Sequence, residues 1–258
     1  MEFGLNLYSV RNLITTEADF LKTAIALKEM GYSFLQFSGG PYDADMIARV
    51  SKESGMPIVL THVPTDRIIG DTDALMEEHS RFGCKNIGLG HMPPKIVADE
   101  KLCKETIEKL NVAAEKMKNN GFSFFYHNHQ YEFHKYGNQT VLDYMRENAP
   151  YINFTLDTYW IQYGGVSVIE CIEKFKGKID CVHLKDYLID LNMTENDKPK
   201  LSPRFAPVGD GVMNFKNIIP KMLEAGTKYF IVEQDNAPDF PDALEQVKRS
   251  IDYLKKEF

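Results

Sequence analysis

The 258-residue sequence is short of the features that mark several protein classes. No run approaches 18 apolar residues, so no membrane-spanning helix is expected. Residues 1–12, MEFGLNLYSVRN, carry an early acid and no apolar core, so no signal peptide is expected. The four cysteines, Cys84, Cys103, Cys171 and Cys181, form no Cys-x-x-Cys pair and sit in apolar or helical settings. They read as buried free thiols, which suggests a reducing compartment and a cytoplasmic location. Basic residues are too few for a polyanion partner: 30 Lys and Arg against 37 Asp and Glu leave a net charge of −7, with no run of five like charges. Nucleic acid and anionic membranes are therefore not expected partners. No Pro/Gly/Ser linker or low-complexity tract divides the chain, so residues 1–258 are expected to form one domain.

What is present is a repeated alternation. Short apolar runs occur at Phe3–Leu7, Phe34–Phe37, Ile58–His62, Asn86–Leu89, Phe122–His127, Ile152–Asp157, Cys181–Lys185 and Tyr229–Glu233. Most are apolar along their whole length, as strands covered on both faces are. Helix-length amphipathic segments lie between them, among them Glu17–Met30, Leu102–Asn119, Phe215–Ala225 and Ala243–Leu254. A "helix, Gly, strand" junction recurs at Gly31, Gly55, Gly83, Gly121 and Gly226. Eight such units predict an α/β fold, a (β/α)8 TIM barrel. A doubly wound sheet is disfavoured because no G-x-G-x-x-G follows the first strand. The uneven part is Ile189–Asn214, after strand seven, which contains Thr194, Asn196, Pro199, Pro203, Pro207, Gly209 and Gly211. It is expected to be a long irregular loop on the functional face.

Polar residues concentrate where the strands should end, which is where a barrel keeps its chemistry. Five of the seven histidines fall there: His62, His91, His127, His129 and His183. Asp157, His183 and Glu233, from three successive strands, would converge, and buried acids must be paired or bound to a metal. Carboxylate and imidazole donors suit Mn, Mg, Fe, Co or Zn. A fourth donor should come from strand five, with His127, His129 and Glu132 as candidates. Alternation puts His127 and His129 on one face and Asn128 on the other. Simpler readings compete: His62 as a satisfied core histidine, His91 as a plain loop residue, and Asp157 as a helix N-cap. Gly209-Asp210-Gly211 reads as a sharp turn rather than an anion site. Tyr159, Trp160 and Tyr163 could stack on a sugar or pack under the next helix.

The motifs YHNHQYEF (Tyr126–Phe133), LDTYWIQYGG (Leu156–Gly165), VHLKDY (Val182–Tyr187), PVGDG (Pro207–Gly211) and IVEQD (Ile231–Asp235) resemble those of the xylose isomerase-like barrels. That group holds the sugar phosphate isomerases/epimerases and the family 2 AP endonucleases. FGLNLYSVR (Phe3–Arg11) and LQFSG (Leu35–Gly39) add to the resemblance, which spans nearly the whole chain. It implies one divalent metal ion (Mn, Mg, Co or Zn) held by a strand-five residue with Asp157, His183 and Glu233. In epimerase relatives the strand-five ligand is a glutamate; here the run His127-Asn128-His129 stands in its place. Inosose dehydratase-like relatives also carry histidine-rich strand-five ends. The endonuclease relative has a histidine three residues after the strand-six Asp, where this chain has Trp160.

The expected ligand set is therefore His129, Asp157, His183 and Glu233. Glu233, His127, Glu132 and Lys185 are expected to move protons or hold substrate hydroxyls, and His62, Trp160 and Asn128 to touch substrate. The expected chemistry is removal of a proton beside a sugar carbonyl through a metal-stabilised enediolate, giving isomerisation or epimerisation. The alternative is a lyase or dehydratase acting on an inosose-like or keto-sugar substrate, and a non-catalytic sugar-binding barrel ranks third. A small carbohydrate is the expected partner, with a homo-oligomer as a further option.

Overall fold

A computed structural model describes residues 1–193 and 198–258. Eight parallel strands close into a barrel: β1 (Phe3–Asn6), β2 (Phe34–Phe37), β3 (Ile58–His62), β4 (Asn86–Leu89), β5 (Ser123–His127), β6 (Ile152–Asp157), β7 (Cys181–Leu184) and β8 (Tyr229–Val232). Each strand pairs with its sequence neighbour, and β8 returns to β1 through Phe3 opposite Phe230 and Leu5 opposite Val232. Helices alternate with the strands and cover the outside, so this is a (β/α)8 TIM barrel in a single domain. The five junction glycines all take positive φ, from 67° at Gly55 to 103° at Gly31. Among the described residues no helix is long and apolar enough to cross a membrane. The four cysteines are free and buried.

The core has two parts, because a strand offers alternate residues to opposite sides. Between strands and helices lies a large apolar layer that includes Leu5, Leu35, Ile87, Phe124, Phe154 and Val232. Inside the barrel a small cluster of Phe34, Leu60, Phe125, Cys181 and Ile231 forms a floor. Gly4 makes room for it: a Cβ there would stand 2.2 Å from the Phe34 ring. Two positions further along the same strands come Gln36, His62, His127, His183 and Glu233. The interior thus changes from apolar to polar in one step of the pleat.

The stretch after β7, expected to be irregular, is mostly an antiparallel two-stranded arm, Asp186–Met193 paired with Pro199–Ala206. Its alternation of apolar and polar residues was hidden by the prolines, which an edge strand tolerates. Thr194 and Asn196 lie outside the described residues. At the arm's root the Asp186 carboxylate accepts from the backbone N–H groups of Tyr187, Gly209, Gly211 and Met213, at 2.8–3.1 Å. The Gly209-Asp210-Gly211 turn therefore does wrap an anion, the chain's own Asp186. Any side chain at Gly211 would collide with it, since a Cβ would stand 2.1 Å from Asp186 Oδ1.

His79, on the helix Thr72–Arg81, ties that helix to β3. Its Nδ1 donates to Leu75 O (2.7 Å), and its Nε2 accepts from Thr61 Oγ1 (2.7 Å). Burial pushes its pKa down to about 4. The unfolded chain, with a pKa near 6.5, then binds the proton more readily between pH 6.5 and 4. Stability is full above that window and falls by up to about 3 kcal/mol as pH drops through it. Urea midpoints at pH 7 and pH 4.5 should differ less in a His79→Asn variant than in the wild type; equal losses would show that other groups set the acid limit.

Candidate metal centre

The polar layer sits at the C-terminal ends of the strands. His127 Nε2, a carboxylate oxygen of Asp157, His183 Nδ1 and a carboxylate oxygen of Glu233 all lie within 4.8 Å of one another, and all four residues are buried. Strand register brings them together: Asp157 stands opposite His183, and His183 opposite Ile231, two residues before Glu233. Distances are 3.1 Å between the two imidazole nitrogens, 3.0 Å from His183 Nδ1 to Glu233 Oε2 and 3.5 Å from His127 Nε2 to Asp157 Oδ2.

Neighbouring hydrogen bonds set which ring nitrogen faces inward. His127 Nδ1 must carry a proton, because it donates to Gly90 O at 2.8 Å. His183 Nε2 donates to Gln36 Oε1 at 2.7 Å, and the Gln36 amide donates in turn to His62 Nε2 at 2.8 Å. Two imidazole nitrogens and two carboxylates thereby converge on one point, a donor set of the kind that holds a divalent cation. Imidazoles anchored through the far nitrogen are also how proteins orient histidine ligands. The donor set therefore fits a divalent ion.

Asp157 serves two ends at once. Its Oδ1 caps the helix Thr158–Tyr163 by accepting from Trp160 N at 2.9 Å, while Oδ2 faces the cluster. The cap and the ligand readings of this residue are compatible. Asn128 holds it in place, its side-chain oxygen accepting from Asp157 N at 3.0 Å. Asn6, on β1, donates to Glu233 Oε1 at 2.5 Å. Lys185, 1% exposed, sits 3.1 Å from Glu233, 3.7 Å from Asp157 and 2.9 Å from Asp235.

Charges follow from these contacts. Burial alone would push Glu233 up, but the Lys185 ammonium and His183 outweigh it and hold the carboxyl well below its usual range. Burial, only partly offset by Lys185, pushes Asp157 and Asp235 up to about 6 each. Burial also opposes the Lys185 charge, yet Glu233, Asp157 and Asp235 raise its pKa above the ordinary value, so it stays protonated. Burial and the neighbouring His183 keep His127 neutral.

A cavity of about 770 Å³ opens over the cluster. His62, His91, His127, His129, Lys185 and Glu233 line it, together with Tyr8, Ser38, Asp66 and Asp235. The structure thus brings most of the expected residues to one place, with differences. His127, not His129, points into the donor group. His129 lies past the end of β5, its ring stacked on Tyr131 and tilted against Trp160. Glu132 does not line the cavity: it is fully buried, and its carboxylate accepts from Tyr126 OH (2.5 Å) and His129 N (2.8 Å). That follows from its place in the 3-10 turn Gln130–Phe133, which it caps. Asn128 and Trp160 do not line it either. Asn128 positions Asp157, and the Trp160 ring covers Lys185 (5.1 Å) and meets Phe205 at the arm's root. Tyr159 and Tyr163 pack beside it, away from the cavity. His91, read as a plain loop residue, is on the cavity wall. Asn6 and Gln36 were missed, although each is the one polar residue in an apolar strand, the signal that singled out the later strands.

The closed barrel thus presents, at its C-terminal mouth, a buried His/Asp/Glu group that could hold a metal ion. The chain belongs to the xylose isomerase-like TIM barrel family, whose model matches residues 25–257. A sugar phosphate isomerase/epimerase from Parabacteroides distasonis has the same fold, with a TM-score of 0.81 and 24% identity, covering 99% of this chain and 98% of that one. A xylose isomerase-like TIM barrel protein from Mycobacterium smegmatis, in complex with magnesium, gives a TM-score of 0.73 at 15% identity, over 99% and 95% of the two chains. An inosose dehydratase from Clostridium perfringens is 27% identical over 173 residues, 63% of this chain; the match spans only 57% of that relative.

Proposed function

We propose that this protein is an enzyme using one divalent metal ion (Mn, Mg, Co or Zn) to take a proton from carbon beside a sugar carbonyl, with isomerisation or epimerisation as the outcome. The observation that carries this reading is the buried convergence of His127, Asp157, His183 and Glu233 at the base of an open cavity whose wall carries further histidines, Lys185 and Asp235. These four side chains would hold the ion. When bound, it would polarise the carbonyl and stabilise negative charge developing beside it. Glu233 is ionised, faces the cavity and is fixed by Asn6, so it is the proton acceptor. Lys185 keeps its proton, so it is no base; it donates to a developing oxyanion. His62, His91 and His129 supply hydroxyl contacts on the opposite wall. The substrate is a small carbohydrate, and a cytoplasmic location is part of this reading.

One observation favours a second outcome. Glu132 is turned away, and Glu233, Lys185 and Asp235 all come from the neighbouring ends of β7 and β8. A base and an acid on one side suit loss of a β-oxygen group from an inosose-like or keto-sugar ring, and the dehydratase relative points the same way. The test is metal analysis of the purified protein, followed by NMR of keto-sugar turnover in deuterated water. Metal uptake with deuterium at a retained carbon is expected. An unsaturated product would establish the lyase instead, and failure to bind any of the four metals would overturn both.

A further inference from the structure

The arm is built inside out. On one face of the ribbon the paired residues are Tyr187 with Phe205, Ile189 with Pro203, Leu191 with Leu201 and Met193 with Pro199. On the other face Leu188 meets Arg204, Asp190 meets Ser202 and Asn192 meets Lys200. The apolar face reaches solvent along most of its length: Ile189 is 47% exposed, Leu191 65%, Met193 61% and Leu201 64%; on the polar face Leu188, Asp190 and Ser202 are half-buried while Asn192, Lys200 and Arg204 are exposed. Among the described residues the cover lies at its root, where Tyr187 and Phe205 pack on Tyr159 and Trp160. A two-stranded ribbon alone is marginal in water, and one with an exposed apolar face needs a cover.

We propose that this cover is a second copy of the same chain: each arm lies across the groove at the root of its partner's arm, in a twofold dimer. The groove, about 600 Å³, has Val166, Ile169, Val212 and Met213 on its wall with Gln162, Ser167, Asn214 and Asn217 among them, so it offers the arm both apolar contact and side-chain hydrogen-bonding groups. Val212 and Tyr163 beside it are 58% and 54% exposed. Donor and acceptor patches adjoin on one chain, the arrangement a self-complementary twofold contact closes. The four exposed arm residues leave roughly 400 Å² of apolar surface in water, the size of the single largest patch on a typical monomer, which is often an interaction site. Counting Tyr163 and Val212, a twofold pairing covers about 1,200 Å², the size at which specific dimers become stable. Charge argues against a lipid occupant: the chain is net −7, and Asp190 and Arg204 pair at 2.7 Å on the arm's polar face. The contact bears on the site as well, since Phe205 lies 4.9 Å from the Lys185 ammonium.

The test is solution mass by light scattering across a dilution series, independent of any reaction. The wild type is expected at twice 29.6 kDa or an even multiple. Leu191→Asp with Leu201→Asp, and separately Val212→Asp, should reduce that mass with unchanged far-UV circular dichroism. Val112→Asp, on an exposed helix position elsewhere (61% exposed), should leave it unchanged. A wild-type mass of one chain, with or without binding to anionic vesicles, overturns the proposal, as do arm or groove variants that keep the wild-type mass.

Discussion

Glu233→Gln should lower turnover by about a thousandfold or more while leaving the barrel folded. The substitution removes a proton acceptor, worth 10²–10⁴, and one of two charged donors to the ion, worth several kcal/mol more. Glu233 accepts from Asn6 through Oε1 and faces Lys185 and His183 through Oε2. A glutamine must turn its NH₂ toward either Asn6 or Lys185, both donors, so it cannot reproduce both contacts. The fold should survive because no charge is orphaned. Above pH 7 three carboxylates surround one ammonium, and with the variant two still do. Melting should shift by less than about 5 °C, and divalent-cation affinity should fall. Rates near wild type in Glu233→Gln, with the metal bound, would sink the assignment of Glu233 as base.

Lys185→Met should separate metal binding from chemistry. Removing the ammonium leaves Glu233, Asp157 and Asp235 facing one another without their cation, a loss of about 3–5 kcal/mol for a broken buried pair. A divalent ion restores much of that balance. The metal-free variant should therefore melt well below the wild type and gain more on metal addition. Turnover should nevertheless drop by roughly 10²–10³, because the hydrogen-bond donor to the developing oxyanion is gone even when the ion is bound. Calorimetric titration with Mn or Mg, together with kcat, reads both effects. A metal-saturated Lys185→Met enzyme that keeps more than about a tenth of wild-type kcat would make Lys185 a charge-balancing residue only.

The barrel was legible because its strands, covered on both faces, are plain apolar runs closed by glycine-ended helices. β2, β3, β4 and β6 have the bounds that composition alone suggests. Asp157, His183 and Glu233 were legible for the same reason: an acid or imidazole at the end of an apolar run has no packing purpose. The strand-five member of the cluster was harder, since His127 and His129 share one parity. What separates them is where pairing stops: β5 ends at His127, which pairs with Thr155, so His129 already belongs to the following turn. Strand ends are not written in a sequence that stays polar past them. Glu132 misled for a related reason, because a carboxylate that caps a turn looks the same in sequence as one that meets a substrate. The arm was unreadable as strand because two prolines interrupt it, although its alternation was there to count.

The floor of Phe34, Leu60, Phe125, Cys181 and Ile231 precedes Gln36, His62, His127, His183 and Glu233 by two residues each. Inheritance therefore acts differently on letters and on register in this barrel. A changed letter in the upper row, such as an imidazole for a carboxylate at position 127, rewrites the chemistry and leaves the frame standing. A one-residue slip of a whole strand's register flips floor and site together, so it forfeits both at once. Such a fold can drift freely in what it catalyses while its spacing stays locked.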